Sequence, residues 1–130
     1  MLSAKGFGPQ AWTDLEASVD CILRRPPEYG VSRWNSLQAV EKFLKTYLQE
    51  KRRPFPKSHD LHKLAALAND VGYGGLVPAM SNAVQCGAGV RYGGEPSSRE
   101  RAVLAHKMAV MLCWKIARTL QEAAEPAGRE

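Results

Sequence analysis

Residues Gln38–Leu64, QAVEKFLKTYLQEKRRPFPKSHDLHKL, decide the fold of this chain. Ala39, Val40, Phe43, Leu44, Tyr47 and Leu48 recur at i, i+1, i+4, i+5, i+8 and i+9, which makes one continuous apolar stripe on an α-helix. Glu41, Lys42, Lys45, Gln49 and Glu50 are expected to fill the other side. Pro54 and Pro56 lack a backbone donor and clash with a preceding turn, so the helix cannot continue through them. Ser58 stands where the next helix wants an N-cap. Asp60 then falls in the first turn, where free backbone N–H groups favour an anion. The segment is a helical hairpin with a basic hinge, in which Lys51, Arg52, Arg53 and Lys57 crowd into seven residues.

The same reading extends outward. A first helix is expected from about Ala11 to Arg25, with Thr13 and Glu16 spaced as a capping box and Leu15, Val19, Ile22 and Leu23 as its apolar face. Pro26-Pro27 ends it, and Ser32 or Asn35 would cap the second helix, which runs to about Lys51. The third starts at His59, buries Leu61, Leu64, Ala65, Leu67 and Ala68, and fails near Gly72. A shorter helix spans Val77 to Cys86 with Pro78 in its first turn. The glycine-rich stretch from Gly87 to Gly94 follows no strand and lacks a GK[ST] tripeptide, so it reads as a flexible linker rather than a phosphate loop. Ser97 and Glu100 then form a capping box for a last helix reaching about Ala124. The expected fold is all-α, an up-and-down bundle of four to five helices. The bundle would occupy residues 11–124, between a flexible N-terminus (1–10) and a frayed tail (125–130).

At 130 residues, 45% of them apolar, the chain is long enough for one domain with its own core. No apolar run approaches the ~18 residues of a membrane span, and MLSAKGFGPQ does not read as a secretory signal. Cys21, Cys86 and Cys113 have no metal-ligand spacing. Cys21 and Cys113 fall within apolar helical patterns, which suggests buried thiols and a reducing cytoplasm. A formal net charge of +5 tilts toward anionic partners. The hinge cations are candidate phosphate contacts, although a solvated hinge explains them as well.

The hairpin also resembles the HEPN domain, the nucleotide-binding domain of higher eukaryotes and prokaryotes. An A-x-E-K-x-L-K helix (Ala39, Glu41, Lys42, Leu44, Lys45), a linker with proline (Pro54, Pro56) and a helix opening on His59-Asp60-Leu61 carry the likeness. Val90-Arg91-Tyr92-Gly93 resembles the segment that precedes the last long helix of these proteins. The resemblance covers roughly residues 12–124. It implies nucleotide or RNA binding and, in the branches that cleave RNA, an arginine, four to six residues, and a histidine at the start of the last helix.

Here Arg101 and His106 have four residues between them, and Arg99 and His106 have six. At ~100° per residue, Arg99 lies about 20° from His106 around the helix and Arg101 about 140°. Arg99 is therefore preferred and Arg101 kept as the alternative. Histidine titrates near neutrality and suits proton transfer to or from a 2′-OH. Arginine suits a scissile phosphate and the charge that builds on it. In the family a second subunit supplies the other half of such a site, implying a homodimer with no metal or cofactor. A nucleotidyltransferase antitoxin is the further partner the resemblance suggests, within a toxin–antitoxin or defence system. The alternative is a non-catalytic nucleotide-binding or protein-interaction dimer. It is favoured by Ala105, Lys107 and Met108 around His106, where the toxin branch often carries Asn and Tyr.

Arg91 beside Tyr92 could grip a phosphate while the ring stacks on a base. His59 and His62, three apart with no third ligand near, do not read as a metal site. Trp12, Trp34 and Trp114 are expected in the core or an interface. In the last helix Ala102, Val103, Leu104, Ala105, Met108, Ala109, Val110, Met111, Leu112, Cys113 and Trp114 are too many apolar residues for one core-facing stripe, a second reason to expect a homodimer.

Overall fold

The computed structural model describes residues 8–124. It consists of α1 (Gly8–Leu23), α2 (Tyr29–Glu50), α3 (Leu61–Asp70), α4 (Pro78–Val84), a 3-10 turn (Ala88–Tyr92) and α5 (Arg99–Ala124). No strand occurs among the described residues, and the architecture is an all-α bundle. Helix α2 is its axis, packed against α1, α3, α4, α5 and the 3-10 turn. Its predicted stripe is buried throughout, with Phe43 and Leu48 fully enclosed alongside Leu37, Leu61, Leu64 and Ile116. Burying each such side chain stabilises the bundle by about 1.5–3 kcal/mol.

The opposite side of α2 is not the solvated face that the pattern suggests. Glu41 is only 5% exposed, and Lys42 and Lys45 are half-buried. Neighbours on every side leave the middle of α2 no fully wet face, so the charges there are paired. Lys42 donates to Asp14 of α1, and Lys45 donates to Glu41 at 2.7 Å. Burial without such partners would cost several kcal/mol.

Several boundaries differ from the sequence reading. Helix α1 starts at Gly8 with Pro9 in its first turn. Thr13 donates to Pro9 O at 3.2 Å inside the helix, so no capping box with Glu16 forms. Helix α2 starts at Tyr29, because Ser32 is a buried packing residue rather than a cap. Asp60, not Ser58, caps α3: its carboxylate accepts from Lys63 N, and Ser58 Oγ accepts from Asp60 N. Helix α4 is shorter than expected because the Gln85 side chain leaves it to cap its neighbour, accepting from Leu61 N at 2.7 Å and donating to His59 O at 3.0 Å.

The stretch after α4 is not a free linker. It winds into the 3-10 turn and plugs buried Val90 against α2. At the front of α5, Ser98 Oγ accepts from Arg101 N at 3.2 Å, in place of the expected Ser97–Glu100 box. Gly8–Gln10 belong to α1, while residues 1–7 of the expected flexible start and the expected tail at 125–130 lie outside the described residues. All three cysteines are buried free thiols, with burial pushing Cys86 up to about 11. No described helix is long and apolar enough to cross a membrane.

Candidate functional site

Two regions of α2 carry the polar chemistry. Taking Ser32 as origin, ~100° per residue places Ser36 about 40° away, and Trp34, Glu41 and Lys45 at about 180–220°. The serines and the Trp34–Glu41–Lys45 row therefore occupy opposite sides of one helix.

On the second side the family-like segments converge. The Arg91 guanidinium lies 4.5 Å from the Trp34 ring centre and 5.0 Å from that of Tyr92, with its Nε donating to Ala88 O at 3.2 Å. Trp34 in turn meets the His59 ring edge-on at 5.1 Å. His59 Nδ1 is 2.7 Å from Glu41 Oε1, and Glu41 Oε2 accepts from Lys45. Lys45 Nζ sits 5.8 Å over the Phe55 ring of the hinge. Aromatic faces hold the two cations in place, which is worth ~0.5–1 kcal/mol at exposed sites. Tyr92 is left 81% exposed.

The close approach of the 3-10 turn to α2 depends on Gly30, where a Cβ would lie 2.0 Å from Val90 O. Arg33, 7% exposed, ties down the following loop through Glu95, Pro96 O and Ser97 Oγ at 3.2–3.4 Å and through Gln85 O at 3.2 Å. Its Nε has no hydrogen-bond partner among the described residues.

The hinge cations do not act as one cluster. Lys51 Nζ turns over the Tyr47 ring at 5.5 Å, and Tyr47 packs edge-on against Tyr73. Arg52 adopts a left-handed φ of 54°, and Arg53 N donates to Leu48 O as the chain leaves α2. Arg52, Arg53 and Lys57 are exposed.

On the first side, His106 of α5 is half-buried, with Nδ1 at 3.2 Å from Ser18 Oγ of α1. Ser18 Oγ lies 2.7 Å from Ser36 Oγ and 3.1 Å from Ser32 Oγ, and Ser32 Oγ donates to Ser18 O. Burial pushes the His106 pKa below its ordinary value, favouring the neutral ring. Arg99 is the first residue of α5 and exposed, as is Arg101. Neither guanidinium forms an ion pair among the described residues. Arg99 stands two turns from His106, about 10 Å along the axis, and helical side chains lean toward the N-terminus. The pair is thus not in contact, and a bound phosphate would have to bridge it.

The outward side of α5 exposes Leu104, Met111 and Trp114. Trp12 is half-buried between Phe43 and Trp114, with ring centres 5.1 Å from each, while Trp114 itself is 64% exposed. His62 is engaged by Ser81 Oγ and Asn82 Oδ1, both at 2.8 Å, and no group of three or more metal-ligating side chains assembles among the described residues. Sequence reasoning missed Trp34 as the seat of Arg91 and the three serines behind His106. The serines left a signal, since Ser32 and Ser36 are one turn apart on α2, but nothing local announced the 57-residue reach from Trp34 to Arg91.

An all-α bundle built on a long axial helix, with a stacked arginine before its last helix, defines the class of this protein. The chain matches the HEPN domain over residues 9–113 and belongs to that family. No match to a curated protein or to a solved structure reaches significance. Family membership supports a nucleotide- or RNA-related function.

Proposed function

We propose that this HEPN domain binds RNA or a nucleotide through the Arg91–Tyr92 turn and acts as a homodimer. One observation carries the reading: Arg91 is held over the Trp34 ring by the bond from its Nε to Ala88 O, and its terminal N–H groups have no hydrogen-bond partner among the described residues, beside an exposed tyrosine. A preorganised guanidinium suits a phosphate and the ring suits a base. Calorimetric titration of Arg91→Ala with a nucleotide tests it; affinity equal to wild type would remove the site. The exposed Leu104, Met111 and Trp114 support the dimer, since isolated apolar residues are common but three on one helix side make a patch.

The finer reading is metal-independent RNA cleavage by Arg99 and His106, with each protomer giving half of a composite centre. The Ser18 contact at Nδ1 favours it, because it orients the imidazole and leaves Nε2 for proton transfer. Arg101 is the alternative arginine. Cleavage of an unstructured RNA with chelator present should vanish in His106→Ala and fall more in Arg99→Ala than in Arg101→Ala. The reverse order would make Arg101 the functional residue, and no cleavage by wild type would leave a binding dimer. A nucleotidyltransferase antitoxin as partner belongs to the same reading, and co-purification would check it.

A further inference from the structure

The hinge and the 3-10 turn stand at the two ends of one continuous row of rings and cations joined through a buried carboxylate. Tyr92 and Arg91 begin it, Trp34, His59, Glu41 and Lys45 continue it along α2, and Phe55 closes it at the hinge. From Trp34 to Lys45 the row follows eleven residues of α2, about 16 Å. At ~3.4 Å per stacked nucleotide that length matches about five nucleotides, far more than a mononucleotide fills. The acidic group inside the row is neutralised, because Glu41 is buried between Lys45 and His59. Asp60 lies exposed beside His59, and its carboxylate is turned to cap α3, while Glu50 falls on the Ser32 side of α2. Exposed Lys57 sits two residues before His59, whose side chain is 57% exposed. Lys51 is outside the row because it folds back over Tyr47.

We infer that this row is a track for single-stranded RNA, with Tyr92 as a base platform, Arg91 as the phosphate anchor at one end, and Arg53 and Lys57 as phosphate contacts at the other. Single strands are required because a paired base offers no free face to Tyr92. The track lies on the side of α2 away from Ser32, Ser36 and His106, so it is separate from the proposed cleavage pair. It rests on the reading that Arg91 and Tyr92 bind nucleotides, and extends it from a point contact to a path.

The test is fluorescence anisotropy of a labelled eight-residue oligouridine, with competition by UMP and by an RNA hairpin without a long loop. The oligouridine should compete at least about ten-fold better than UMP or the hairpin. Tyr92→Ala should weaken it roughly ten-fold. The doubly substituted Arg53→Ala/Lys57→Ala chain should lower the salt slope of log K by about 0.7 for each lost phosphate contact. That variant should leave UMP affinity unchanged, and circular dichroism should verify its fold. Equal affinity for UMP and oligouridine, or a salt slope unmoved by the hinge substitutions, would overturn the track while leaving the Arg91 nucleotide site standing. Equal binding of the hairpin would overturn the single-strand assignment. Arg91→Ala with unchanged affinity for both UMP and oligouridine would remove the underlying site and the track with it.

Discussion

Gly30→Ala separates the fold from the 3-10 turn proposed to bind nucleotide. The new methyl would stand 2.0 Å from Val90 O and 3.0 Å from Val90 C, and both atoms are backbone, so no flexible side chain can absorb the clash. The 3-10 turn has to retreat by an ångström or more from α2. Val90, 3% exposed, is the plug of that turn, and Arg91 follows it directly. A shift of that size lifts the guanidinium from its 4.5 Å seat on Trp34.

Overpacking of this kind costs about 1–3 kcal/mol. Alanine returns a few tenths of that in helix propensity, less than the full ~1 kcal/mol because Gly30 is in the first turn of α2. The net loss in stability should be about 1–2 kcal/mol. Losing the preset guanidinium costs a further ~0.5–1 kcal/mol of binding, a weakening of roughly two- to six-fold. Urea denaturation followed by circular dichroism reads the first quantity, and nucleotide or oligouridine titration reads the second. Native helix content with both losses is the expected result. A variant with unchanged midpoint and unchanged affinity would show that the turn does not depend on its approach to α2, and the account of Arg91 would fall with it.

Asp60→Ala should cost about 1 kcal/mol by removing the carboxylate that accepts from Lys63 N, whereas Ser58→Ala should cost less, and reversed urea midpoints would contradict the assigned cap. Glu41→Ala removes a buried carboxylate that joins Lys45 and His59, so it should lower the thermal midpoint clearly; a change within error would mean that the pairing contributes nothing. Trp114→Asp together with Met111→Asp should convert a sedimenting dimer to a folded monomer, and a wild-type protein that sediments as a monomer at tens of micromolar would refute the dimer itself.

The pH prediction follows from burial of His106, which holds its folded pKa below the ordinary value of about 6.5. On acidification the unfolded chain takes up the proton first. The group's contribution to stability is therefore complete above about pH 6.5 and is lost as the pH falls toward the folded pKa. His106→Gln should flatten that acid limb in a pH series of thermal melts, and an unchanged limb would assign it to other groups.

The apolar stripe of α2 and the hairpin were legible because a 3.6-residue period survives in any environment that buries one helix side. Glu41, Arg33, Ser18, Ser32 and Ser36 were not, because a pattern that sorts residues into apolar and polar sends every polar one to solvent. An axial helix with neighbours all round breaks that rule, and it does so with partners that the local sequence cannot name. Glu41 takes Lys45 from its own helix but His59 from beyond the hinge. Ser36 takes Ser18 from α1. The caps slipped for a smaller reason. At Ser58–Asp60 and Ser97–Ser98 several good capping side chains stand within two residues of one another, and the choice is made by tertiary demands such as Arg33 reaching Ser97.

The relative angle of Arg99 and His106 was readable, since both sit on one helix and geometry alone sets it. Their depth was not, because it depends on α1 delivering Ser18 to His106 Nδ1. That dependence has a mechanical consequence. Ser32 and Ser36 hold the His106 side of α2, while Trp34 and Glu41 hold the other, so a rotation of this one helix changes both regions together. A displacement confined to the 3-10 turn changes only the Arg91 side. Substitutions in the core of α2 cannot therefore separate the proposed nucleotide binding from the proposed cleavage. Gly30 can, because it touches the turn without touching the serines.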